Sequence, residues 1–126
     1  MMDSNLPYTN ADYGEWGNPN NLTYFNYIQQ YSPYDNIPTK PTHFPDLFVR
    51  SSLNDNQVQF WEPAKYVAKV RHLTSHLNST IIHTIDMDGG HSSTNAKAGM
   101  QKYAEDFAFI ITSYTAWKRQ MATRNE

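Results

Sequence analysis

Two side chains in this sequence have the types and the setting to pass a proton. They are Asp55, in Leu53-Asn54-Asp55-Asn56-Gln57-Val58, and His91, in Asp86-Met87-Asp88-Gly89-Gly90-His91. Each lies just past a short apolar run and ahead of a helix-like pattern. A carboxylate that accepts a hydrogen bond from imidazole Nδ1–H fixes the tautomer and stabilises the imidazolium. Nε2 can then take a proton from a hydroxyl and return it to a leaving amine. Asp55 and His91 stand in the chain order of the second and third members of a Ser–Asp–His triad. The first member is missing, because no Gly-x-Ser-x-Gly occurs anywhere in the chain.

The elements that must position this pair can be read from apolar patterning. Leu47-Phe48-Val49 is a short continuous apolar run, as expected of a strand buried on both faces. Pro63 then opens a helix, where its missing N–H costs nothing, with Tyr66, Val67, Val70 and Leu73 as the apolar stripe. Ile81 to Ile85 reads as a second strand, β-branched apart from His83. Met100, Tyr103, Ala104, Phe107, Ile111 and Tyr114 trace one face of a long last helix. Lys118 and Arg119 suit the negative pole at its end. Strand–helix–strand–helix implies a right-handed parallel crossover, and in an open parallel sheet functional groups collect beyond the C-terminal strand ends. Asp55 and His91 both fall there, and Gly89-Gly90 would let the loop turn tightly enough for the imidazole to reach across.

The first third has a different texture. It holds six of the seven prolines (Pro7, Pro19, Pro33, Pro38, Pro41 and Pro45), which forbids long regular elements. One short helix fits Asn21 to Tyr31, where Leu22, Phe25 and Ile28 recur, and the remainder reads as loop. Its Tyr- and Asn-rich composition suits either a carbohydrate-binding surface or, the more common case, irregular chain pinned by aromatic anchors. Two parallel strands and two helices cannot cover both faces of such a sheet, so upstream strands are expected to be missing.

Composition narrows the function classes. With 10 basic and 12 acidic residues the net charge is −2, which gives no reason to expect binding to nucleic acid or to an anionic membrane. The chain has no cysteine, which removes disulfides, thiolate catalysis and Cys-ligated zinc without fixing the compartment. No apolar run approaches a membrane span and no basic-then-apolar leader opens the chain, so a cytoplasmic location is the expectation. Other readings of the same residues stay open. Asn-Asp-Asn is a common turn sequence, and Gly-Gly-His is an ordinary one too. Asp86 and Asp88 would open a calcium loop, but the glycine required at its sixth position is His91 and the glutamate at its twelfth is Lys97. His83 and His91 lack a zinc spacing. The sequons at Asn21 and Asn78 are weak signals, and His43, His72 and His76 read as loop or surface histidines.

An ordered set of motifs carries a resemblance. Glu15-Trp16-Gly17-Asn18-Pro19 and Tyr31-Ser32-Pro33-Tyr34-Asp35-Asn36-Ile37 come first. Leu53-Asn54-Asp55 and Val58-Gln59-Phe60-Trp61-Glu62-Pro63-Ala64-Lys65 follow, and Val67-Ala68-Lys69-Val70-Arg71 comes next. The set closes with Asp86-Met87-Asp88-Gly89-Gly90-His91 and Phe107-Ala108-Phe109-Ile110. Covering about residues 2–111, these resemble the C-terminal part of the prolyl oligopeptidase family, and within it the oligopeptidase B (protease II) branch. The resemblance implies that residues 1–126 are part of a peptidase catalytic domain of α/β-hydrolase fold, without the propeller and the nucleophile segment. It implies Asp55 and His91 as catalytic acid and base, short peptides as substrates and no cofactor.

The resemblance also implies a site for a Lys or Arg side chain of the substrate, to which Asp12 and Glu15 would contribute. Gly14 stands where the branch usually has an acid, Gln57 where an Arg is common, and Ser92-Ser93 where a glycine-rich stretch is usual. Loss of a nucleophile lowers turnover roughly a million-fold, so the chain alone is expected to be inactive. A separate polypeptide bearing the serine is one expected partner. A non-catalytic interaction module on a hydrolase scaffold is the alternative, mildly favoured by the Gln57 and Ser92-Ser93 departures.

Overall fold

The computed structural model describes residues 3–92 and 96–123. Its elements are α1 (Thr9–Trp16), α2 (Leu22–Gln29), β1 (Leu47–Ser52), α3 (Trp61–Leu73), β2 (Ile81–Asp86) and α4 (Ala96–Thr123). β1 and β2 pair in parallel, from Leu47 opposite Ile81 to Ser52 opposite Asp86. Both strands therefore end at one edge, and the loops carrying Asp55 and His91 leave it side by side.

Alternation along the strands sorts side chains onto two faces. Phe48 and Arg50 turn towards α4: the Phe48 and Phe109 rings lie 5.4 Å apart, and Arg50 pairs with Asp106 at 2.9 Å and Glu105 at 3.2 Å. On the opposite face Ser51 and His83 are hydrogen-bonded at 2.9 Å. Arg71 of α3 donates to the Ile81 carbonyl at 2.9 Å. Burial foremost, then the charge of Arg71, lowers the His83 pKa and so favours the neutral imidazole. Val67 and Val70 of α3 are buried completely or nearly so, and with Ile37 they make the small core.

The helices depart from the sequence reading in three ways. α3 begins at Trp61, so Pro63 sits at its third residue rather than its first. The proline still costs little there, because the first four N–H groups of a helix have no intrahelical partner. A helix α1 occupies a stretch expected to be loop, ending at Gly17, whose φ of 86° and ψ of 154° suit only glycine. A Cβ on Gly17 would overlap the Tyr24 ring. The apolar stripe of α4 exists but faces away from the sheet. Met100, Tyr103, Phe107 and Ile111 are each more than 60% exposed, while Lys102, Glu105 and Asp106 face the strands.

The first third is tied to this frame mainly by polar contacts. Lys69 donates to the Tyr34 carbonyl and lies 4.2 Å over the Tyr34 ring, and His76 donates to the Pro41 carbonyl at 2.8 Å. Tyr34 makes these contacts while 44% exposed, and Tyr8, Trp16, Tyr24 and Tyr27 are about half exposed or more. Asn21 is the N-cap of α2, its side chain accepting from the Thr23 N–H at 2.9 Å. No helix among the described residues is long and apolar enough to cross a membrane.

Candidate active site

β1 ends at Ser52, and a tight turn follows in which the Asp55 N–H donates to the Ser52 carbonyl at 3.3 Å. Asp55 Oδ1 accepts the N–H groups of Gln57 and Val58, both at 2.9 Å. This is the Asx turn that Asn-Asp-Asn favours, and it locks the carboxylate in place. His91 Nδ1 approaches the same carboxylate at 3.0 Å from Oδ2 and 3.1 Å from Oδ1. The turn and the acid–imidazole pair are therefore compatible: one side chain does both.

The setting keeps Asp55 ionised. The Val58 N–H foremost, then the Gln57 N–H and the imidazole, hold its carboxyl below the usual value against the opposing effect of partial burial. Its side chain is 13% exposed while that of His91 is 42% exposed. The acid is thus walled in and the base is open on one side. An anionic Asp55 beside Nδ1 selects the Nδ1–H tautomer, which leaves Nε2 as the basic atom.

The two loops are also stitched to each other. The Leu53 N–H extends the strand ladder to the Asp86 carbonyl at 2.9 Å, and the Asn54 N–H donates to the Gly89 carbonyl at 3.2 Å. Asn54 Nδ2 donates to the Met87 carbonyl at 3.2 Å. Asp86 Oδ1 accepts from the N–H groups of Asp88 (3.1 Å) and Gly89 (2.9 Å), and Lys102 of α4 pairs with Oδ2 at 2.8 Å. The Lys102 ammonium foremost, then the loop N–H groups, lower the Asp86 pKa. Neither Gly89 nor Gly90 has a positive φ, so a left-handed turn is not what they provide. Gly89 is needed because a Cβ there would lie 2.5 Å from Asp86 Oδ2.

The other residues singled out from sequence lie elsewhere. Asp12 and Glu15 sit on α1, Asp12 half-buried and Glu15 exposed. Among the described residues no ion pair holds either, and none joins them to Asp55 or His91. A side chain at Gly14 would meet open space, so packing does not exclude an acid there. Gln57 and Ser92 are exposed, and Ser93 lies outside the described residues. Asp86, whose calcium-loop reading already fails in the sequence at His91 and Lys97, is committed to Lys102 and its own loop.

Known proteins share this sequence pattern. The profile of the prolyl oligopeptidase family matches residues 1–115. The dipeptidyl aminopeptidase BI of Pseudoxanthomonas mexicana is 42% identical over 112 residues, covering 88% of this chain and 15% of its own length. The Protease 2 of Moraxella lacunata is 33% identical, with 88% and 16% covered. A prolyl oligopeptidase of Dendrothele bispora is 34% identical, with 83% and 15% covered. The chain thus spans about one-sixth of the length of these curated relatives. The extent of the match and the parallel strand–helix–strand–helix order together show that this chain belongs to the prolyl oligopeptidase family, as part of its α/β-hydrolase fold.

Proposed function

We propose that this chain supplies the acid and base of a serine peptidase triad, with Asp55 orienting His91 and another stretch of polypeptide bringing the serine. The contact between His91 Nδ1 and the Asp55 carboxylate, at 3.0 Å with the imidazole half-exposed, carries the reading. His91 Nε2 takes the serine proton as Oγ attacks the peptide carbonyl, and Asp55 stabilises the imidazolium that forms. The imidazolium then protonates the leaving amine. Water, deprotonated by the same nitrogen, hydrolyses the acyl-serine. The substrates are short peptides. Asp12 and Glu15, with no cationic partner among the described residues, favour a Lys or Arg on the acyl side of the cut bond.

A chimera tests this. Residues of this chain replace the matching 112 residues of the Pseudoxanthomonas relative, and peptide hydrolysis is measured beside that of the isolated chain. The chimera is expected to be active, to lose activity with His91→Ala and to label with a serine-directed fluorophosphonate, while the isolated chain does neither. Hydrolysis that survives His91→Ala would refute the assignment. Charge reversal at Asp12, tested on Arg- and Leu-containing peptides, decides the basic preference.

A further inference from the structure

We infer that Asp86 and Asn54 are positioning residues for the Asp55–His91 pair, Asp86 holding the His91 loop in shape and Asn54 fastening that loop to the Asp55 turn. The inference rests on the acid–base reading of that pair and adds the means by which its geometry is kept. His91 follows β2 by five positions, with no regular structure between. Such a segment is held only by whatever satisfies its backbone groups. Asp86 is the last residue of β2, and its Oδ1 accepts two N–H groups of that segment. Its other oxygen is fixed by Lys102, so the acceptor cannot rotate away without breaking an ion pair to α4.

Asn54 acts from the other side. Its backbone and side-chain donors reach the Gly89 and Met87 carbonyls, and it immediately precedes Asp55. A displacement of either loop is therefore transmitted to the 3.0 Å contact. Hydrogen bonds with an ionised partner are roughly twice as strong as neutral ones, which makes Asp86 the stronger of the two fasteners. A misplacement on the order of 1 Å can cost about a hundred-fold in rate.

The tautomer of His91 reports this directly. In the 126-residue chain at pH 8, imidazole 15N shifts give the Nδ1–H fraction, and the methyl shifts of Val67 and Val70 report the core. Wild type is expected to be mainly Nδ1–H, and Asp55→Ala to return the ring to the mixture of a free imidazole. Asp86→Ala is expected to lower the Nδ1–H fraction by about half or more with the valine methyls unmoved, and Asn54→Ala by a smaller amount. Asp86→Asn keeps an oxygen for the loop N–H groups but loses the Lys102 ion pair, and is expected to fall between wild type and Asp86→Ala.

Wild-type Nδ1–H fractions in Asp86→Ala and Asn54→Ala would overturn the inference and leave the acid–base reading standing. A wild type without the Nδ1–H preference, or one indifferent to Asp55→Ala, would overturn the reading itself. Should Asp86→Ala lose its valine dispersion, Asn54→Ala alone decides, and an unchanged tautomer there overturns the inference.

Discussion

At the tips of β1 and β2, short polar side chains satisfy backbone groups at close range, while along α4 large apolar side chains point into solvent. Asp55 and Asp86 between them accept four loop N–H groups. By contrast, Phe107, Ile110, Ile111, Tyr114 and Trp117 are all more than half exposed. A contiguous apolar face of that kind marks a surface built to be covered. The tips are organised by local hydrogen bonds and need no such cover. The difference separates what this chain holds in place by its own hydrogen bonds from what it leaves exposed.

The largest expected effect lies at the tips. In the active chimera, His91→Ala and Asp55→Ala are each expected to lower kcat about ten-thousand-fold or more. Phe107→Ala in the same chimera is expected to change kcat less than about tenfold, because α4 touches no reacting atom. Comparable losses at Phe107 and Asp55, measured on one peptide, would erase the contrast between the two regions.

Stability of the isolated chain provides the next contrast. Val70 is fully buried while Phe107 is 62% exposed. Val70→Ala is expected to cost about 1–2 kcal/mol by urea unfolding, from lost burial plus a partial cavity, and Phe107→Ser to stay within about 0.5 kcal/mol. The reverse order would mean that α4 already packs its stripe, for instance in a self-associated form. Phe107→Lys with Ile111→Lys checks this, since both substitutions together are expected to reduce dye binding and self-association.

Sequence reasoning reached the pair because its evidence is local: an acid and an imidazole, each just beyond an apolar run, on strands whose parallel order follows from the helix between them. It placed β1, α3 and β2, and found α4 as a periodic stripe. α1 escaped because Thr9–Trp16 carries no apolar stripe, contains Gly14 and has no side-chain cap at Tyr8. The direction of the α4 stripe escaped as well. Periodicity shows that a helix has two faces, and contacts across the fold, the Phe48–Phe109 rings with the ion pairs of Arg50 and Lys102, show which one meets the sheet. Asp86 was visible only as the opening residue of the Asp86–His91 motif and of a calcium pattern that fails at His91 and Lys97. The residue it serves most closely, Gly89, has no side chain to signal the contact, and Lys102 lies on a different element.

The smallest effects are those of pH, and they fall in two windows that separate the sheet face from the tips. His83 binds its proton less readily in the folded chain because it is buried near Arg71. The unfolded chain protonates its histidine near pH 6.5. Between that pH and the lower folded value the unfolded state holds more protons, so stability falls as pH falls through this window and then levels off. His83→Gln keeps a hydrogen-bonding group for Ser51 and is expected to flatten the urea midpoint between about pH 7 and 5. Asp55 and Asp86 act lower down. Their folded pKa values lie below the ordinary one, so their contribution is complete above about pH 4 and disappears as pH falls through the folded values. Acid should therefore loosen the tips only after the His83 window has passed. Loss of the Gln57 and Val58 amide shifts of the Asp55 turn before the His83 transition, in the wild-type chain, would show the tips to be the weaker of the two regions.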